Sequence, residues 1–165
     1  GWRDIIHTQG DWWDLPDGPR PEASIDLMRW TGEHFVHTGP EVGIDATGSF
    51  RGVVALDFNS DGLQDFVISS VFGRPLLYLS QGCTAHAWIA VEAPPASVVR
   101  VTADGVTQHD WLSTSSSYGA TATPIAHFGL GQAATVDLVE VVLPGGDVRQ
   151  LSGPIEPRRT IWVRP

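Results

Sequence analysis

Nine consecutive residues, Asp57-Phe58-Asn59-Ser60-Asp61-Gly62-Leu63-Gln64-Asp65, hold most of the chemistry the sequence offers. Oxygen-bearing side chains stand at the first, third, fifth and ninth of them. Alternate spacing lets a tight turn direct the first three inward. Gly62 relieves the bend, and the main-chain carbonyl of Leu63 then faces the same centre. A donor set made only of oxygen suits a hard cation that takes about six to eight ligands, so Asp57, Asn59, Asp61, Leu63 and Asp65 are expected to bind calcium. The twelfth position is Ile68, inside a strand-like run, where an EF-hand needs a bidentate glutamate between helices. An EF-hand is therefore excluded. The competing reading is a plain polar turn, since Asp, Asn and Gly favour turns in any case.

Other reactive residues form no constellation. His34 and His37 are three apart but have no third ligand and no HExxH pattern. Ser113 to Ser117 reads as a polar loop without the GxSxG elbow of a hydrolase. Gly129-Leu130-Gly131 is no phosphate loop and is expected between strands. Cys83 is the single cysteine, which excludes an internal disulfide, a CxxC pair and a thiolate zinc cluster. Carboxylates are plentiful enough for glycoside cleavage, but the best organised of them are committed to the loop. No catalytic residue is assigned, and the chain is expected not to be an enzyme.

The elements around the loop are short, β-branched or aromatic, and bounded by turn formers. Val53-Val54-Ala55-Leu56 precedes it, Phe66-Val67-Ile68-Ser69-Ser70 follows, and Leu76-Leu77-Tyr78-Leu79 comes after a Gly-Arg-Pro turn. Gly1-Trp2-Arg3-Asp4-Ile5-Ile6 aligns with Gly62-Leu63-Gln64-Asp65-Phe66-Val67 at an offset of 61 residues, and Leu27 to Gly32 parallels Leu76 to Gly82. Residues 10–23 read as a long loop in which Trp12 and Trp13 staple the chain down or form a contact surface. Four blades of a propeller at this period need about 244 residues, and the chain has 165. Gly1 stands where the glycine of an earlier acidic loop belongs, so a longer parent protein is expected. Beyond residue 82 the texture remains β: His86 to Val91 alternates, Asp104-Gly105 predicts a tight hairpin between Val98–Ala103 and Val106–Trp111, and Pro144-Gly145-Gly146-Asp147 predicts another.

Residues 54–67, with Leu77-Tyr78-Leu79, resemble an FG-GAP (VCBS-type) repeat. That resemblance implies β-propeller blades with calcium in the acidic loop, and Asp4 as the ninth-position ligand of a preceding copy. His127-Phe128-Gly129-Leu130-Gly131, Val136-Asp137-Leu138-Val139-Glu140-Val141 and Pro144-Gly145-Gly146 resemble the ASPIC/UnbV domain, which follows such repeats in proteins similar to cartilage acidic protein. Two departures stand out: Leu143 replaces the family's Trp, and Ala93-Pro94-Pro95-Ala96-Ser97 replaces its Asn-Arg and Gly-Ala segment. The expected fold is all-β: FG-GAP blades over residues 1–82 (a partial blade 1–32 and a fuller one 33–82), then a small β-sandwich-like domain over residues 83–165.

Composition narrows the partners. The formal charge is −9, and all ten basic residues are Arg. No basic stripe exists for a nucleic acid backbone, and no apolar run is long enough to span a membrane as a helix. The expectation is a non-catalytic, calcium-binding interaction module outside the cytoplasm (secreted, periplasmic or at the cell surface). It would act in protein–protein assembly or adhesion, with carbohydrate as a second partner class. The alternative is an accessory portion of a secreted carbohydrate-active enzyme whose active site lies elsewhere.

Overall fold

Short apolar segments broken by Gly, Pro and Asp can pair as strands but are too brief for packed helices, and the chain is all-β. The computed structural model describes residues 3–10, 23–81 and 85–164; Gly1, Trp12, Trp13, Gly82 and Cys83 lie outside the described residues. Strands β1 (Ile5–Thr8), β2 (Ile25–Trp30) and β3 (Phe35–His37) form one antiparallel meander. Strands β4 (Phe50–Leu56), β5 (Asp65–Ser70) and β6 (Leu76–Tyr78) form a second. Because β3 pairs with β2 through Trp30↔Phe35 and Met28↔His37, the first sheet runs on past Gly32. Ile25, Ile44, Phe50 and Ile68 are buried together between the meanders, with Ile6, Leu27, Val53 and Phe66 packed around them.

The two meanders are built alike. Ile5 pairs with Met28 as Phe66 pairs with Tyr78. Asp4 Oδ1 accepts a hydrogen bond from the Trp30 amide at 3.0 Å, and Asp65 Oδ1 accepts one from the Ser80 amide at 2.8 Å. The aspartates are 61 residues apart, which matches the repeat offset read from sequence.

The remaining strands are β7 (Ala87–Glu92), β8 (Val98–Ala103), β9 (Val106–Trp111), β10 (Ser115–Ser117), β11 (Ala120–Thr121), β12 (Ile125–Gly131), β13 (Val136–Val142), β14 (Val148–Ile155) and β15 (Arg159–Trp162). One sheet has the order β12-β7-β15, with β15 parallel to β7; the other has the order β14-β13-β8-β9. They share one core, in which Ile89 and Val91 of β7 and Ala126 and Phe128 of β12 meet Val99, Val101, Val139 and Val141 of the facing sheet. The period of two leaves Trp88 and His127 on the opposite face of the first sheet. The expected hairpin at Asp104-Gly105 is present, with φ of 49° and 71° at its two central residues and Ala103 paired with Val106.

Two local expectations need correction. Ser113 to Ser117 is not wholly loop: Ser115–Ser117 is β10, held because Ser117 Oγ accepts from the Val53 amide at 2.7 Å and donates to the Val53 carbonyl at 3.0 Å. Gly129-Leu130-Gly131 does not lie between strands but completes β12, where Gly129 pairs with Trp88.

Phe128 is 1% exposed at the centre of the larger core. Phe128→Ala is expected to cost about 3–5 kcal/mol of stability in urea unfolding; a loss below about 1 kcal/mol would show that the two sheets do not pack as described.

Candidate functional site

The acidic loop joins β4 to β5 and is wound around the Asp57 carboxylate. Asp57 Oδ1 accepts from the Asp61 amide at 3.0 Å, and Oδ2 accepts from the Gly62 amide at 2.9 Å. The Asp61 amide also reaches Asn59 Oδ1 at 3.2 Å. Asp61 in turn accepts from the Leu63 amide at 2.8 Å and from Asn59 Nδ2 at 2.8 Å. Two residues supply the positive φ the winding requires, Ser60 at 62° and Gly62 at 87°. Charge-assisted hydrogen bonds of this kind exceed neutral ones in strength, so the carboxylates hold the turn.

Asp57, Asn59 and Asp61 are therefore brought together, and Leu63 joins them through its amide. Asp65 stands at the base of the loop, fully buried, with Oδ2 accepting from the Phe58 amide at 2.9 Å and Oδ1 from the Ser80 amide. It ties both ends of the loop to the end of β6. Among the described residues no three His, Cys, Asp or Glu side chains converge as ligands of a metal ion would. Besides its carboxylates the loop carries the Asn59 amide oxygen, which faces the Asp61 amide. His37 Nε2 lies 3.2 Å from Asp26 Oδ1 and His7 Nδ1 3.5 Å from its Oδ2, whereas the His34 carbonyl closes a turn with Thr31. His34 and His37 are thus engaged separately, His37 with Asp26 and His34 through its own backbone.

Sequence reasoning missed what covers the loop. Trp88 of β7 lies directly on Gly62: a Cβ built there would stand 1.9 Å from the indole Nε1 and 2.2 Å from Cε2. His127 of β12 stacks on Trp88, with ring centroids 5.4 Å apart and planes 16° from parallel. His127 Nε2 lies 3.0 Å from the Gly62 carbonyl oxygen. A carbonyl can only accept, so Nε2 carries the proton and donates. Burial lowers the His127 pKa from its ordinary value, against smaller opposing effects of the Gly62 carbonyl and the Asp57 charge. The neutral ring with Nε2–H fits both observations. The available signal was the alternation itself, because a polar or aromatic residue between Ala126 and Phe128, or beside Ile89, must face away from the core.

Two clefts flank this contact. One, of about 290 Å³, runs past Asp57, Gln64, Trp88 and His127; the other, of about 350 Å³, lies between Asp61, His86, Trp88 and Arg158. A second join lies further along β4, where a Cβ on Gly52 would stand 3.0 Å from the Ala120 Cβ and 3.1 Å from the Tyr118 carbonyl oxygen.

Residues 96–164 match the family model described as ASPIC and UnbV. The matched segment contains His127 but begins after Trp88, so the two rings of the stack come from within and outside it. No curated protein matches the chain.

Gly62→Ala is expected to destabilise the protein by about 2–4 kcal/mol, combining overpacking with left-handed strain. In a Trp88→Ala background the same change should cost only the strain, roughly 1–2 kcal/mol. Equal costs in the two backgrounds, measured by a double-mutant unfolding cycle, would show that the indole does not press on Gly62.

Proposed function

We propose that the protein is a non-catalytic calcium-binding structural and interaction module that works outside the cytoplasm in protein–protein assembly or adhesion. The observation that carries this reading is the wrapping of the Asp61 and Gly62 amides around the Asp57 carboxylate, with Asn59 and Asp61 turned to the same side of the turn. All donors there are oxygen, which suits a hard cation. Asp57, Asn59, Asp61, the Leu63 carbonyl and Asp65 would hold calcium, and the ion would neutralise carboxylates that otherwise repel one another.

The N-terminal meanders are read as FG-GAP (VCBS-type) blades. Supporting this are the acidic loop between the first two strands of one meander and the equivalent Asp4 and Asp65 hydrogen bonds. The ASPIC/UnbV family is one of non-catalytic, typically extracellular domains, which supports both the role and the location. Among the described residues no helix is long and apolar enough to cross a membrane. Exposed aromatic rings at Trp111 and Trp162 give the sandwich side chains of the type enriched in protein interfaces.

Calorimetric titration is expected to show one calcium site with a Kd of about 10⁻⁴–10⁻³ M, the range of extracellular modules. Asp57→Asn should weaken it at least tenfold. Calcium at about 100 times Kd should add about 2.7 kcal/mol of stability, and magnesium, which dehydrates reluctantly, should add little. A silent titration with an unchanged melting temperature would refute the calcium reading.

A further inference from the structure

The peptide between Gly62 and Leu63 is held from both sides. Its carbonyl oxygen accepts from His127 Nε2 at 3.0 Å, and its N–H donates to Asp61 Oδ1 at 2.8 Å. In a trans peptide these two groups point in opposite directions. The sandwich therefore grips the outer edge of a plane whose inner edge faces the acidic side chains. One residue back, the Gly62 amide is fixed by Asp57 Oδ2. Gly62 has φ of 87°, a conformation glycine leaves easily when nothing holds it. What holds it here is the Trp88 indole, which occupies the space of a Cβ, and the His127 ring stacked on that indole.

We propose that His127 and Trp88 are positioning residues of the acidic loop: they fix the Gly62–Leu63 peptide, whose N–H holds the Asp61 carboxylate, so that the loop is set before calcium arrives and its affinity is set in part from strand β12. The nitrogen that His127 turns to the loop carries the proton and has no lone pair for a cation, so the ring acts on the loop as a hydrogen-bond donor. His127 and Gly62 are 65 positions apart in sequence, so the cation site is completed by the fold and not by the loop alone. Without the sandwich's grip, ordering of the glycine peptide would be charged against binding, and preorganisation removes that cost. The inference rests on the calcium reading above.

The test is calcium titration by calorimetry on the 165-residue protein, with melting in the absence of calcium measured alongside. His127→Phe keeps a ring for the Trp88 stack but removes the donor; His127→Gln keeps an amide donor of similar reach. His127→Phe should weaken calcium binding about 3–10-fold, the span of one hydrogen bond, while His127→Gln stays within about twofold of wild type. A His127→Phe protein that melts earlier without calcium yet binds it with wild-type affinity would overturn the inference, leaving His127 a packing residue. So would a His127→Gln protein weakened as much as His127→Phe. If wild type binds no calcium, the calcium reading fails first and this inference with it. If wild type binds and His127→Phe binds equally, only the inference fails.

Discussion

At Gly62 the backbone of the acidic loop meets the Trp88 indole so closely that no side chain fits between them, and this contact, with the join at Gly52 and Val53, ties the two halves of the chain together. It requires a residue without a Cβ, in a left-handed conformation, at the apex of a loop wound on carboxylates. It also requires a sheet with a second packing face. Strands β7 and β12 supply that face: Ile89, Val91, Ala126 and Phe128 point into the sandwich core, and Trp88 and His127 point the other way. The β12-β7-β15 sheet is thus packed on one side against a sheet and on the other against a loop.

Such an arrangement explains why the acidic loop is ordered by more than its own turns. Asp65 closes its base from the interior, Asp57 gathers its amides, and His127 holds its apex from outside. Each hydrogen bond involves either a charged acceptor or a partly buried donor, where the net contribution is larger than at an open surface. A cation bound there would meet a site whose backbone is already set.

The local chemistry was legible in the sequence. The spacing of Asp57, Asn59 and Asp61, the Asp104-Gly105 hairpin and the repeat of Asp4 at Asp65 each depend on residues close in sequence, or on a periodicity that one chain displays. Strands β8 and β9 fall where alternation and turn chemistry place them, at Val98–Ala103 and Val106–Trp111. What could not be read depends on tertiary partners. The Ser115–Ser117 segment has the composition of a loop and becomes a strand through Ser117 meeting Val53. Strand β12 contains two glycines, which lower strand propensity, and it forms because β7 offers a paired edge. β14 runs through Gly153-Pro154 to Ile155, where the Val136↔Ile155 pairing across a register shift extends it. The approach of His127 to Gly62 has no sequence signal apart from strand alternation, which says which face a residue takes but not what it will meet there.

In the folded chain the loop apex is fixed from both sides. Amide hydrogen exchange of Asp61, Gly62 and Leu63 in the intact protein tests it most directly. Those three amides should exchange as slowly as the paired amides of β4 and β5, and more slowly still with calcium present. Exchange at the rate of an open surface loop, unchanged by calcium, would show that neither side holds the apex.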